Sequence, residues 1–270
     1  MRTARPEDLE TLLDWAAAEG WNPGLDDAAA FHSADPAGFF LALRDGAPVA
    51  AISVVNHDDR NAFLGLYLCR PDWRGQGIGF ALWQHALAHA GTRSIGLDGV
   101  AAQQENYAKS GFARHGATQR FTGSLAPRIH PGIRPVTAPD IPALIALDHA
   151  AGGVHRPAFL SSWLAPTPTR QAVMREDGTG FAVIRHCRSG SKIGPILAPD
   201  TAAALALAET AQALLPTPVT AIDLPQRNTA LRDALTARGF TLGFETARMY
   251  RGPAPASDTR LAAIATMELG

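Results

Sequence analysis

The sequence predicts an α/β protein built as two tandem domains of one architecture. Three observations carry this: a set of landmarks that recurs along the chain, Asp-Gly hairpin signals in both halves, and a glycine loop set between a strand-like and a helix-like run. A length of 270 residues suits two domains of ordinary size, and 46% apolar residues can fill two cores.

The first copy opens with a short strand over 1–5 and a helix that starts at Pro6-Glu7-Asp8. Leu9, Leu12, Leu13 and Ala16 share one face of that helix and Gly20 stops it. Apolar runs at 39–44 and 49–55 flank Asp45-Gly46, a strong short hairpin signal. A further apolar strand at 63–68 leads into the loop Arg74-Gly75-Gln76-Gly77-Ile78-Gly79 and a helix over 80–87, and a fifth strand ends near Asp98. The second copy repeats these signs. Arg134 answers Arg2, Asp140 answers Asp8, and Asp177-Gly178 between runs at 171–176 and 181–187 answers Asp45-Gly46, all at an offset of 132. Later the offset becomes 128, where Gly239-Phe240 answers Gly111-Phe112. The predicted domains are therefore 1–130 and 131–270, joined near the Pro- and Gly-containing stretch 126–132.

The glycine loop carries the chemistry. Without side chains at 75, 77 and 79 the backbone can approach a ligand, and the first-turn amides of the following helix face it with the positive end of the helix dipole behind them. A phosphate or pyrophosphate is the favoured ligand. The P-loop is excluded, because Phe80 and Ala81 follow Gly79 where Lys and Ser/Thr are required. The dinucleotide fingerprint G-x-G-x-x-G fails in register: from Gly75 its last glycine falls on Phe80, and from Gly77 on Leu82.

The pattern R-x-x-G-x-G at 74–79, with the run 66–79 around it and Tyr107-Ala108-Lys109-Ser110-Gly111-Phe112 further on, resembles the GNAT superfamily of acyl-CoA-dependent N-acetyltransferases. The stretch 96–100 with Gln103, Gln104 and Tyr107 also resembles a bacterial subgroup of that superfamily with two domains. The resemblance implies a mixed, mostly antiparallel sheet flanked by helices in each domain, with acetyl-CoA as co-substrate. It implies that the loop holds the coenzyme pyrophosphate through Arg74, Gly75, Gln76, Gly77, Ile78 and Gly79, and that Leu66, Tyr67 and Leu68 pair with the pantetheine arm where the sheet splays open. An amide of Leu68 or its neighbour would then face the thioester carbonyl. Tyr107 is the expected acid for the departing thiolate, since a phenol stays protonated at neutral pH.

No carboxylate stands between Phe63 and Cys69, so the glutamate expected on that strand is missing. Asp98 and Glu19 are the candidate bases, acting directly or through water. His32, His57 and His115 have suitable intrinsic pKa values but no motif places them, and Cys69 has no partner base that would make it an acyl carrier. The loop after the first helix borders the acceptor side in this family, which makes Trp21 and Asn22 candidate substrate contacts. Arg156, in the equivalent place of the second copy, reads as a surface arginine, with an acidic group of the acceptor as its alternative ligand.

At offset 128 the positions of Arg74, Gly75, Gln76, Gly77 and Gly79 hold Ala202, Ala203, Ala204, Leu205 and Leu207, and Tyr107 falls on Leu235. The second domain is thus expected to keep the fold without the coenzyme site, and to wall the acceptor pocket or form an interface. A formal net charge of −1 leaves no electrostatic footprint for nucleic acid or an anionic membrane. No apolar signal-peptide core is seen in the first ten residues, and the run 201–215 is interrupted by Glu209 and Gln212 well short of a membrane span, so a cytoplasmic protein is expected. Two cysteines are too few for a disulfide framework or a zinc cluster, and no metal is expected. The expected function is N-acetyl transfer to a primary amine of a small molecule by direct attack, with a homodimer left open. A non-catalytic acyl-CoA-binding regulatory module and a protein-amine acetyltransferase are the alternatives.

Overall fold

The computed structural model describes residues 1–270. The first half runs β1 (Arg2–Thr3), α1 (Pro6–Ala18), α2 (Asp27–Ala34), β2 (Phe39–Arg44), β3 (Ala47–Asn56), β4 (Asn61–Cys69), α3 (Ile78–Leu87), β5 (Ser94–Gly99), α4 (Gln104–Lys109) and β6 (Ala113–Gly123). The second repeats that order as β7 (Ile133–Pro135), α5 (Ile141–Gly152), α6 (Pro157–Leu164), β8 (Arg170–Arg175), β9 (Phe181–His186), β10 (Ser191–Leu197), α7 (Thr201–Leu214), β11 (Thr220–Pro225), α8 (Thr229–Thr236) and β12 (Thr241–Arg251), and a last strand β13 (Leu261–Ala263) follows. No helix is long and apolar enough to cross a membrane.

The recurrent residues have recurrent jobs. Arg2 forks onto Asp8 at 2.7 and 2.9 Å, and Arg134 onto Asp140 at 2.7 and 2.8 Å, so each copy ties its first strand to the start of its first helix by the same bidentate pair. Gly111 and Gly239 take left-handed backbone (φ +86° and +84°), which lets Phe112 and Phe240 fold back so that their amides donate to the carbonyls of Tyr107 and Leu235. The hairpins differ. Asp45 and Gly46 both have positive φ, as a two-residue turn with the twist of its strands requires, whereas Asp177-Gly178 sits in a longer loop whose Asp177 carboxylate accepts from Thr179 and Arg175.

All the strands form one sheet in the order β1-β2-β3-β4-β5-β12-β6-β11-β10-β9-β8-β7, with β13 attached to β10. Only β4–β5 and β10–β11 are parallel; every other pair is antiparallel. The two halves have exchanged their last strands. β12 lies against β5 of the first half and β6 against β11 of the second, with β6 and β12 paired at the centre. The exchange is reciprocal in charge: Asp98 on β5 faces Arg248 on β12, and Asp223 on β11 faces Arg120 on β6, each pair in direct cross-strand register. The linker at 126–132 therefore divides the chain but not the sheet.

Strand alternation sorts the core into layers. Phe39, Leu41, Leu66 and Leu68 with Met174, Phe181 and Val183 point to the face covered jointly by α1, α2, α5 and α6, a single core drawn from both halves. Phe40, Ile52, Leu64 and Leu97 point to the opposite face, under α3 and α4, and Val173, Ile184 and Ile193 lie under α7 and α8. At the centre of the shared core the buried Trp163 stacks on Phe31 and donates its indole N–H to the Gly194 carbonyl at 3.1 Å. The guanidinium groups of Arg170 and Arg185 lie over its ring at 4.9 and 4.7 Å.

Candidate active site

A cleft of about 730 Å³ opens where β4 and β5 part. Their parallel ladder runs from Asn61↔Ser94 to Leu64↔Leu97 and stops. Beyond it, Gly65 to Cys69 pair only with β3, which leaves the other edge of β4 facing the cleft. A bulge sets the angle: Ser53 faces Gly65 and Ala51 faces Leu68, so Leu66 and Tyr67 together oppose one residue, and Leu66 takes φ +45°. A non-glycine residue held there costs on the order of 1–2 kcal/mol, which the buried Leu66 side chain offsets by packing in the shared core.

The glycine loop closes one end of the cleft. Gly75 and Gly77 have φ +76° and +77°, and a Cβ on either would project into open space rather than into protein. Gly77 is the N-cap of α3 and no side chain caps the helix, so its first-turn amides stay available to an anion. At Gly79 the space is limited by a neighbour instead: a Cβ there would come within 2.8 Å of the Tyr67 hydroxyl, and that side chain would have to shift. Arg74 donates through Nε to the Cys69 carbonyl at 2.8 Å and through Nη2 to Glu19 at 2.5 Å, strapping the loop to the end of β4 and to the loop after α1. These residues fit a diphosphate.

Tyr107 lines the cleft. Its ring is held between Gly99, where a Cβ would come within 3.0 Å of it, and Trp83, stacked at 5.3 Å and 10°. Burial, with the nearby Tyr67 phenol second, pushes its hydroxyl well above the ordinary tyrosine range, so Tyr107 is protonated at neutral pH.

The far end of the cleft is built from Trp21, Arg120, Phe244, Thr246, Met267 and Glu268. Arg120 forks onto Asp223 at 2.7 and 2.8 Å and donates to the Trp21 carbonyl at 3.2 Å; Lys192 Nζ reaches the same carbonyl at 2.9 Å. Burial, with Arg120 second, pulls the Lys192 ammonium below its ordinary value. Phe244 and Thr246 belong to the exchanged strand β12, and Met267 and Glu268 to the last residues of the chain. No local motif marks any of them; only the strand exchange and the path of residues 261–270 bring them here.

Of the residues expected to act together, Glu19, Trp21, Leu66, Tyr67, Leu68, Arg74, Gly75, Gly77, Ile78, Gly79, Asp98 and Tyr107 line this one cleft. Gln76 does not; its side chain turns back to the Asp72 carbonyl. Asn22 does not either. It takes φ +53° and exchanges two hydrogen bonds with the Ser189 backbone, at 2.8 and 2.9 Å, clipping the loop after α1 to the turn between β9 and β10. Both candidate bases are occupied: Glu19 by Arg74, and Asp98 by Arg248 at 2.7 and 3.0 Å with Thr118 and Thr246 adding hydrogen bonds. The surface reading of Arg156 is overturned. It is buried, paired with Asp148 at 2.8 and 2.9 Å, and donates to the Gly270 carbonyl, because the end of the chain packs over it. Cys69 lines the cleft as a free thiol that burial pushes up, away from the thiolate. No cluster of three His, Cys, Asp or Glu side chains is placed to share a metal ion.

In the second half the equivalent space is filled twice over. Asp200 caps α7 by accepting from the Ala203 amide at 2.8 Å, which puts a carboxylate where a phosphate would sit. The parting of β10 from β11 after Ile193↔Ile222 is closed by β13, which pairs with Ile196 and Leu197.

The chain belongs to the GNAT acyltransferase family: a GNAT acetyltransferase family model matches residues 7–117 and a second GNAT acetyltransferase domain model matches 144–261. It is 37% identical over 281 residues to the holothin acyltransferase of Pseudoalteromonas sp. (strain SANK 73390), covering 99% of this chain and 94% of that protein. Among solved structures, one from Pyrococcus horikoshii assigned as an acetyltransferase superposes with a TM-score of 0.85 at 20% identity, over 100% of this chain and 95% of that one. A tandem GNAT protein from the clavulanic acid biosynthesis pathway has a TM-score of 0.61 at 16% identity, over 94% and 98%. These two likenesses are of fold.

Proposed function

We propose that this protein transfers the acetyl group of acetyl-CoA to a primary amine of a small molecule by direct attack. The observation that carries the reading is continuity: cradle, open strand edge, Tyr107 and a walled far end lie in one cleft. The coenzyme would lay its pyrophosphate on the amides of Gly77 to Gly79 and its pantetheine arm along Gly65 to Leu68, where an amide polarises the thioester carbonyl. Its sulfur would then lie by Tyr107. Direct attack is favoured over an acyl-enzyme because the Cys69 thiol has no base and is held in its neutral form.

A small acceptor is favoured because β12 and residues 267–268 wall the far end, where a protein acceptor would need an open groove. The named activity of the 37% identical relative, acyl transfer to holothin, agrees with this. On this reading the second half binds no coenzyme and contributes the wall. The test is thiol release from acetyl-CoA across amino acids, polyamines, amino sugars, aminoglycosides, arylamines and holothin, with product masses read out. Amine-dependent thiol release that drops by about 10² or more in Tyr107→Phe, with coenzyme affinity retained, supports it. Coenzyme binding with no transfer to any amine would favour the regulatory module instead.

A further inference from the structure

Three carboxylates line the cleft, and two are spent: Glu19 on Arg74, and Asp98 on Arg248. The third, Glu268, makes neither an ion pair nor a side-chain hydrogen bond, although the residue is only 5% exposed. Its carboxylate oxygens have no partner within the protein and still reach the space of the cleft, so their lone pairs remain free for whatever enters it.

Its place is well determined. The Glu268 backbone lies against Gly65, where a Cβ would come within 2.1 Å of the Glu268 carbonyl oxygen. Gly65 is the first residue of β4 beyond the ladder to β5, so Glu268 stands at the apex of the cleft, on the side of Trp21, Phe244 and Met267. The segment is held from both ends. Leu269 donates to the Thr266 hydroxyl at 2.9 Å, His57 Nε2 lies 2.8 Å from the Leu269 carbonyl, and Arg156 donates to the Gly270 carbonyl. The cations in electrostatic reach of Glu268 have other ties: Arg120 to Asp223, Arg185 facing Asp27 at 3.2 Å, and Lys192 to the Trp21 carbonyl.

We propose that Glu268 is the catalytic base that takes the proton from the acceptor amine, an inference that rests on the acetyl-transfer reading above. The acceptor ammonium gives one N–H proton to the Glu268 carboxylate, and the freed lone pair attacks the thioester carbonyl carbon to form the N–C bond. The tetrahedral intermediate then breaks its C–S bond, the sulfur leaves with the electron pair, and the Tyr107 hydroxyl protonates it. The proton remaining on the acylated nitrogen passes to the Tyr107 phenolate and Glu268 releases its proton to solvent, which restores both groups. The carboxylate absent from β4 is thereby supplied from the other end of the chain.

The test compares wild type, Glu268→Gln and Glu268→Asp on the full chain. Readouts are calorimetric titration with acetyl-CoA, steady-state acetylation of the amine panel, and the slow hydrolysis of acetyl-CoA without amine, in which water replaces the acceptor. Glu268→Gln is expected to keep coenzyme affinity within about threefold and to lose about 10² or more in kcat and in hydrolysis, with Glu268→Asp recovering part of the loss. With a strongly basic amine such as tyramine, the deficit should narrow as pH rises and solvent deprotonates the amine. Rates within threefold of wild type in both assays, or a deficit that stays constant across pH, would overturn the assignment. A wild type that hydrolyses acetyl-CoA but acetylates no amine counts against the acceptor reading, and the hydrolysis ratio still decides the role of Glu268.

Discussion

Arg248→Met tests whether Asp98 is a structural anchor of the exchanged strand or a base. Asp98 has no exposed side-chain surface; Arg248 meets it with two hydrogen bonds and lies over the Phe63 ring at 5.0 Å. Burial alone would pull the guanidinium down, and the Asp98 carboxylate outweighs it and holds Arg248 above its ordinary value. Removing the cation leaves Asp98 buried with only Thr118 and Thr246 as donors, a loss of about 3–5 kcal/mol. With an unfolding entropy of about 2.1 cal/mol/K per residue, that lowers Tm by roughly 5–9 °C for a chain of 270 residues. Asp98→Leu combined with Arg248→Met removes both charges, and its stability should return to within about 2 kcal/mol of wild type. Calorimetric melts of the two single variants and the double variant measure the coupling. If Asp98→Asn instead melts like wild type, binds acetyl-CoA normally and loses 100-fold or more in turnover, then Asp98 does proton chemistry and the anchor reasoning is wrong.

Calorimetric titration with coenzyme A should give a stoichiometry near one per chain, and Gly77→Val should abolish binding, since a Cβ at φ +77° is both strained and aimed into the cradle; a value near two would mean that Asp200 and β13 do not block the second half. A chain ending at His130 loses β12 from beside β5 and both neighbours of β6, so it should sediment as a dimer in which two copies exchange β6, with Arg120 taking the place of Arg248; a folded monomer would show that β6 returns to its own half. Burial, with Arg156 second, lowers His57 from its ordinary value to about 4, so the folded state resists a proton that the unfolded state accepts. Stability is therefore full above about pH 6.5 and should fall as pH drops toward 4, by at most about 3 kcal/mol, a loss that His57→Gln should remove in pH-dependent urea titrations.

What the sequence by itself determined was whatever depends on neighbours along the chain. The loop 74–79 needs only its own glycines to clear space for an anion, and Gly111-Phe112 needs only a left-handed residue to end α4 and orient Tyr107; such signals are local and were legible. The duplication was legible for the same reason, since Arg2-Asp8 and Arg134-Asp140 each close a contact within six positions. What only the tertiary structure decided was every contact that joins distant segments. Strands 113–123 and 241–251 each carry a threonine and an arginine at matching places, Thr118 with Arg120 and Thr246 with Arg248, and which fifth strand each pairs with depends on the packing of the whole sheet. Asp98 looked free because its partner is 150 positions away, and Asn22 looked available because Ser189 is 167 away. Glu268 carried no signal at all: a glutamate followed by only two residues of the sequence has no period or motif to mark it. Its place in the cleft follows from β13 filling the second half and the remaining residues crossing to Gly65, a path that packing alone selects.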